Sequence, residues 1–127
     1  MRAIDTNVLV RLITRDDEKQ VAAAEAFVRK GAWVSHLVLA ETAWVLTSVY
    51  ELDDERIATA LEMLLSHTEL SIQDSDVVAL ALEQYRKQPN LGFSDCLVVE
   101  IARKAGHLPL GTFDRGLSKL PGAARVG

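Results

Sequence analysis

Asp5, Glu41, Asp95 and Asp114 are the residues whose type and setting could do chemistry. Asp5 follows Arg2-Ala3-Ile4 directly, and Asp114 closes the run Leu108-Pro109-Leu110-Gly111-Thr112-Phe113. Asp95 heads a helical pattern behind Phe93-Ser94, at the edge of a stripe made by Val98, Val99 and Ala102. Glu41 has Leu37, Val38, Trp44 and Val45 one helical turn to either side. Each acid has an ordinary explanation. An Asp after a strand caps the next helix, a first-turn acid favours the helix dipole, and Asp114 before Arg115-Gly116 suits a turn. Glu41, read as lying on a buried helix face, could be one half of an ion pair or a protonated carboxyl. A carboxylate there is costly unless it is paired or bound to a cation, and no Lys or Arg shares its face. Four carboxylates in one pocket repel and cannot all ionise unaided. A divalent cation relieves the conflict, and oxygen-only ligands select hard Mg2+ or Mn2+.

Other candidates carry less. His36, His67 and His107 lack metal-ligand spacing and read as surface or loop residues, which argues against zinc and against histidine acid–base cleavage of RNA. Cys96 adjoins Asp95 on another helical face and reads as a buried thiol rather than a nucleophile. No Gly-x-Ser-x-Gly elbow, P-loop or Gly-x-Gly-x-x-Gly is present. Trp33 and Trp44 read as core packing rather than base-stacking platforms. Arg11, Arg15, Lys19, Arg86 and Lys87 could meet phosphates, but each suits a solvated face better.

The elements that must position these residues alternate between short apolar runs and helical patterns. Strands are expected at Arg2–Ile4, Trp33–Val34, residues 68–72, Leu108–Phe113 and Ala124–Val126. Helices are expected at Asn7–Ile13, from Asp16-Asp17-Glu18 to Arg29, at Leu37–Tyr50, after Asp53-Asp54, from Asp74 or Ser75 to Lys87, and at Ser94–Ala105. Such alternation implies an α/β chain with a parallel sheet covered on both faces, whose ligand site lies beyond the carboxyl ends of the strands. The 127 residues suit a single domain, 1–127, with its own core.

The charge balance, 14 Lys+Arg against 18 Asp+Glu for a net −4, excludes a generic polybasic nucleic-acid binder. Without the four acids above, the formal charges balance. From Gly31 to Tyr50 the only formal charge is Glu41, yet a central carboxylate costs about 3 kcal/mol on membrane insertion scales. A strand followed by a buried helix is the better reading, with no membrane partner. The single cysteine cannot form an internal bridge, which points to a reducing compartment, and Asp5 comes too early for a secretory signal. The expectation is a cytoplasmic protein.

Four segments carry a resemblance to a known family: Ile4-Asp5-Thr6-Asn7-Val8-Leu9, Leu39-Ala40-Glu41, Phe93-Ser94-Asp95-Cys96-Leu97 and Gly111-Thr112-Phe113-Asp114-Arg115. In order, spacing and context the chain resembles PIN domains, and among them the VapC-type toxins, over nearly its whole length. The resemblance implies a three-layer α/β/α sandwich around a central parallel sheet with the first strand in the middle. It implies Mg2+-dependent endoribonuclease activity, with Mn2+ able to substitute, in the toxin of a type II toxin–antitoxin module. Asp5, Glu41, Asp95 and Asp114 match the family's acidic quartet, Thr112 its hydroxyl position and Asn7 its polar residue after the first acid. The implied partners are RNA, a cognate antitoxin and a second copy of the chain. Gly116 departs from the pattern, since many relatives carry a further acid there, and this bears on how firmly a second ion is held. Hydrolysis of this kind uses water rather than the ribose 2′-hydroxyl and leaves 5′-phosphate and 3′-hydroxyl ends.

Two other classes compete. A receiver-like phosphoacceptor also binds Mg2+ in an acidic pocket, but it needs a Lys after its last main strand, where Thr112-Phe113-Asp114 offers none. A non-catalytic scaffold with a buried polar network would show no carboxylate-dependent Mn2+ binding.

Overall fold

Short polar side chains start most of the helices by holding their first free amides. Asp5 Oδ1 accepts from the Val8 amide at 3.2 Å to open α1 (Thr6–Thr14). Asp17 does the same for α2 (Glu18–Val28), Ser35 for α3 (His36–Ser48) and Asp53 for α4 (Asp54–Ser66). At the other end of the chain, α6 (Phe93–Ala105) stops at Gly106, whose φ of 83° places its amide on the carbonyls of Ala102 and Arg103. The remaining helix, α5, spans Ser75–Lys87. The strands are β1 (Arg2–Ala3), β2 (Ala32–Val34), β3 (Leu70–Ile72), β4 (Leu110–Thr112) and β5 (Ala123–Arg125).

The computed structural model describes all 127 residues, and they form two compact units, Met1–Ser75 and Asp76–Gly127. In the first, β1, β2 and β3 make a parallel ladder with Arg2 opposite Ala32 and Ala32 opposite Leu70. Helix α1 packs on α2 and α3, and α4 on α3 and β3. Leu9, Leu39, Leu46, Ile57, Leu61 and Leu64 are the fully buried centre of this unit. Each contributes about 1.5–3 kcal/mol by leaving water. In the second unit β4 and β5 pair in parallel, and a 3₁₀ turn at Leu117–Lys119 packs on both. The Tyr85 ring of α5 meets Phe93 of α6 edge-on, with centroids 6.2 Å apart.

All the ladders are parallel, as the alternating pattern requires, and the chain is of mixed α/β class. Two details differ from expectation. In the hydrogen-bonded order β1-β2-β3 the first strand is an outer one, not the middle one, and β4 with β5 forms a ladder of its own. Only two residues long before Asp5 opens α1, β1 has little backbone to share with neighbours.

The weakly charged window divides as expected into β2 and α3, and no helix is long and apolar enough to cross a membrane. Its burial differs. Helix α3 is apolar on most of its circumference, so periodicity cannot choose a face. Packing selects Leu39, Thr42, Ala43 and Leu46, and the Thr42 hydroxyl is satisfied by the Val38 carbonyl at 2.7 Å. Leu37 is left 69% exposed and Trp44 65%.

Candidate metal centre

Asp5 caps α1 just after β1, and Glu41 lies midway along α3. Asp5 is exposed, and its capping bond engages only Oδ1. Thr6 Oγ1 donates to Glu41 Oε2 at 3.0 Å, tying the start of α1 to the middle of α3. Glu41 itself is exposed, which corrects the expectation of a carboxylate on a buried face. The apolar neighbours that suggested burial, Leu37 and Trp44, are themselves on the solvent side. Trp33, 38% exposed, and Trp44 are likewise not the core residues they were read as. Asn7 stands exposed in the first turn of α1.

The second pair is built by α6 and the turn after β4. Asp95 is half-buried in the first turn of α6. Burial raises its pKa above the usual carboxyl value, the negative charge of Asp114 raises it further, and a hydrogen bond with the Gly92 backbone opposes both. Asp114 is held by its own turn. Its amide donates to Thr112 Oγ1 at 3.0 Å, and its Oδ1 accepts from the amides of Gly116 at 2.8 Å and Leu117 at 3.3 Å. Thr112 therefore fixes the backbone of the acid beside it.

Neither unit gathers three or more His, Cys, Asp or Glu side chains into one group; the four acids stand as one pair in each unit. The donor chemistry fits a hard divalent cation. All candidate donors are carboxylate oxygens. The bonds on Asp5, Glu41 and Asp114 each engage a single oxygen, which fixes the side chain and leaves the other oxygen to a ligand. The histidines do not join them: the His67 ring accepts from the Glu69 amide, His107 is exposed, and His36, rather than lying in a loop or on the surface, starts α3 part-buried with its Nε2 unpartnered. The Cys96 thiol, 1% exposed, is pushed up to about 11 by burial and by the charges of Asp95 and Glu100, so it is inert as a nucleophile.

Sequence reasoning missed two residues. Thr6 was passed over for Asn7, although a hydroxyl directly after Asp5 is equally placed to reach a neighbour. Glu100 shares a charged stretch of helix with Arg103 and Lys104, yet it is 4% exposed. Its carboxylate takes Arg103 Nε at 3.1 Å, while Arg103 Nη2 reaches the Pro121 carbonyl at 2.6 Å. The apolar Cys96 and Leu97 one turn earlier were the available signal that Glu100 faces inward.

The sequence profile of the PIN domain family matches residues 3–123. The chain belongs to the PIN domain family. Comparisons with curated proteins and with solved structures returned no match. PIN domains combine helices with a parallel sheet in an α/β/α fold and are in general metal-dependent nucleases that bind RNA. That membership sets the receiver-like alternative aside. In this PIN domain the position where relatives often carry a further acid serves differently: the Gly116 amide is a donor to Asp114. A Cβ there would lie 3.4 Å from Asp114 Oδ1 and 3.1 Å from Leu91.

Proposed function

We propose that this PIN domain is a Mg2+- or Mn2+-dependent endoribonuclease and the toxin of a type II toxin–antitoxin module. In this reading residues 1–127 act as one domain, the protein works in the cytoplasm as a homodimer, and a cognate antitoxin restrains it. The family match running unbroken past the boundary at Ser75 supports the single-domain part. The nuclease reading is carried by the PIN family match over residues 3–123 together with carboxylates on Asp5, Glu41 and Asp114 that are each held through one oxygen, leaving the other to a ligand.

Asp5 and Glu41 in the first unit, and Asp95 and Asp114 in the second, would serve as the ligands of a divalent ion. When bound, it supplies Lewis acidity toward the phosphodiester and toward water. The chain's own residues do the positioning. Val8 and Thr6 orient Asp5 and Glu41, and the amides of Gly116 and Leu117 orient Asp114. Thr112 holds the Asp114 backbone, and Asn7 presents a polar side chain to substrate.

Incubation of the purified chain with single-stranded RNA and Mn2+ should give products with 5′-phosphate and 3′-hydroxyl ends. Excess EDTA, or Asp95→Asn in a folded protein, should abolish them. Undiminished cleavage in EDTA refutes the reading. Calorimetric Mn2+ titrations of Asp5→Asn, Asp95→Asn and the double variant test whether the pairs act together. Additive losses would mean two separate weak sites.

A further inference from the structure

The two most exposed aromatic side chains each adjoin an acid of the proposed site. Phe113, 78% exposed, directly precedes Asp114, and Trp44, 65% exposed, lies one helical turn after Glu41. The next, Trp33, is only 38% exposed. A phenylalanine ring in water contributes nothing to folding by burial, so its placement needs another account. The backbone on both sides of Phe113 is fixed. The Thr112 carbonyl accepts from the Val126 amide at 2.8 Å, Thr112 Oγ1 holds the Asp114 amide, and Asp114 Oδ1 holds the turn that follows. The ring is thus presented from a rigid support. Arg115 follows, also exposed and without an acidic partner.

We propose that Phe113 and Arg115 form a subsite for single-stranded RNA beside Asp114. The Phe113 ring stacks on an unpaired base next to the scissile phosphate, and Arg115 pairs with a neighbouring phosphate. Every nucleobase offers a π-face, so such a ring reads strandedness rather than sequence, and an unpaired base can be splayed onto it where a duplex base cannot. A dry protein interface fits less well, because it would desolvate Asp114, Asp95 and Arg115 around the ring. Stacked nucleotides leave the carboxylates wet and give the guanidinium its anion. The inference rests on the nuclease reading and adds a base-contacting residue and a phosphate-contacting residue to it.

The test compares Phe113→Ala, Phe113→Leu, Phe113→Tyr and Arg115→Gln. Binding of a short single-stranded RNA is measured in the inactive Asp95→Asn background, and cleavage in Mn2+ in the active one. Loss of a base stack corresponds to a rise in Kd of roughly 5- to 150-fold. Phe113→Ala and Phe113→Leu should both show that rise, with KM following and kcat changed far less. Phe113→Tyr should stay near the parent, and Arg115→Gln should weaken binding and flatten its salt dependence. Melting temperatures of all four should match the parent, since the ring buries little. If the parent cuts RNA while Phe113→Ala leaves Kd and KM within twofold, the subsite is wrong and the nuclease reading stands. Loss in Phe113→Ala but not in Phe113→Leu would refute stacking in favour of plain apolar contact. If the parent neither binds nor cuts RNA in Mn2+, the nuclease reading itself falls.

Discussion

Replacing Arg103 by alanine should unsettle the second unit through a carboxylate that it leaves behind. Glu100 presents a side chain only 5% exposed, and Arg103 lies over it with Nε at 3.1 Å from Oε1 and 3.4 Å from Oε2. Breaking a buried pair by removing one partner costs about 3–5 kcal/mol, because the remaining charge is stranded. The Arg103 side chain is 38% exposed, so water can enter where the guanidinium leaves, and about 2–3 kcal/mol is the expected loss. At an unfolding entropy of about 2.1 cal/mol/K per residue, 127 residues convert this into a fall in Tm of about 7–11 °C. The same substitution removes the bond to the Pro121 carbonyl, which anchors the turn into β5 and so the partner of the strand leading to Asp114. Thermal melts of Arg103→Ala, Glu100→Leu and the double variant give the cycle. The double variant should recover most of the loss, since no charge is left buried. A Tm for Arg103→Ala within 1 °C of the parent, or a double variant as unstable as the sum of the singles, would refute the reasoning.

Two further outcomes follow from the titration of the second unit. The Asp95 pKa is raised in the fold, first by burial and then by Asp114. The stability this carboxyl contributes is therefore complete below its unfolded value of 3.8 and is lost as pH rises through the folded value. Metal-free Asp95→Asn should lack that decline and be more stable than the parent at neutral pH in denaturant titrations, although inactive. An equal or steeper decline would contradict it. Cys96, buried and with its thiol at about 11, should resist iodoacetamide in the native protein at pH 8 and react once unfolded. Rapid native alkylation, read by mass spectrometry, would show that α6 opens.

Local chemistry made the elements legible. Asp5, Asp17 and Asp53 each cap a helix expected to start beside them, Ser35 caps α3, and Gly106 closes α6. The N-terminal caps accept from the amide three residues on and the Gly106 amide donates to carbonyls three and four residues back, so residue order alone specifies them. What was misread lies where a helix is ambiguous in cross-section. The apolar residues around Glu41 implied a buried face, but α3 has apolar residues on nearly every side and can bury only one of them. Glu100 is the opposite case, because a charged triplet on a helix suggests solvent until a partner such as Pro121, 18 residues away from Arg103, is in place.

By itself, then, the sequence determined the succession of strands and helices, the mixed α/β class and the family. Capping, periodicity and turn propensity act within a few residues, and a motif is a property of order. Tertiary structure alone decided which side of α3 is buried and that Thr6 reaches Glu41. It also decided that Glu100 is buried under Arg103, and that Asp114 approaches Asp95 closely enough to raise its pKa. These depend on contacts between residues far apart in the chain, whose energies are set by exclusion of water and by the distance between charges. No local pattern encodes either quantity.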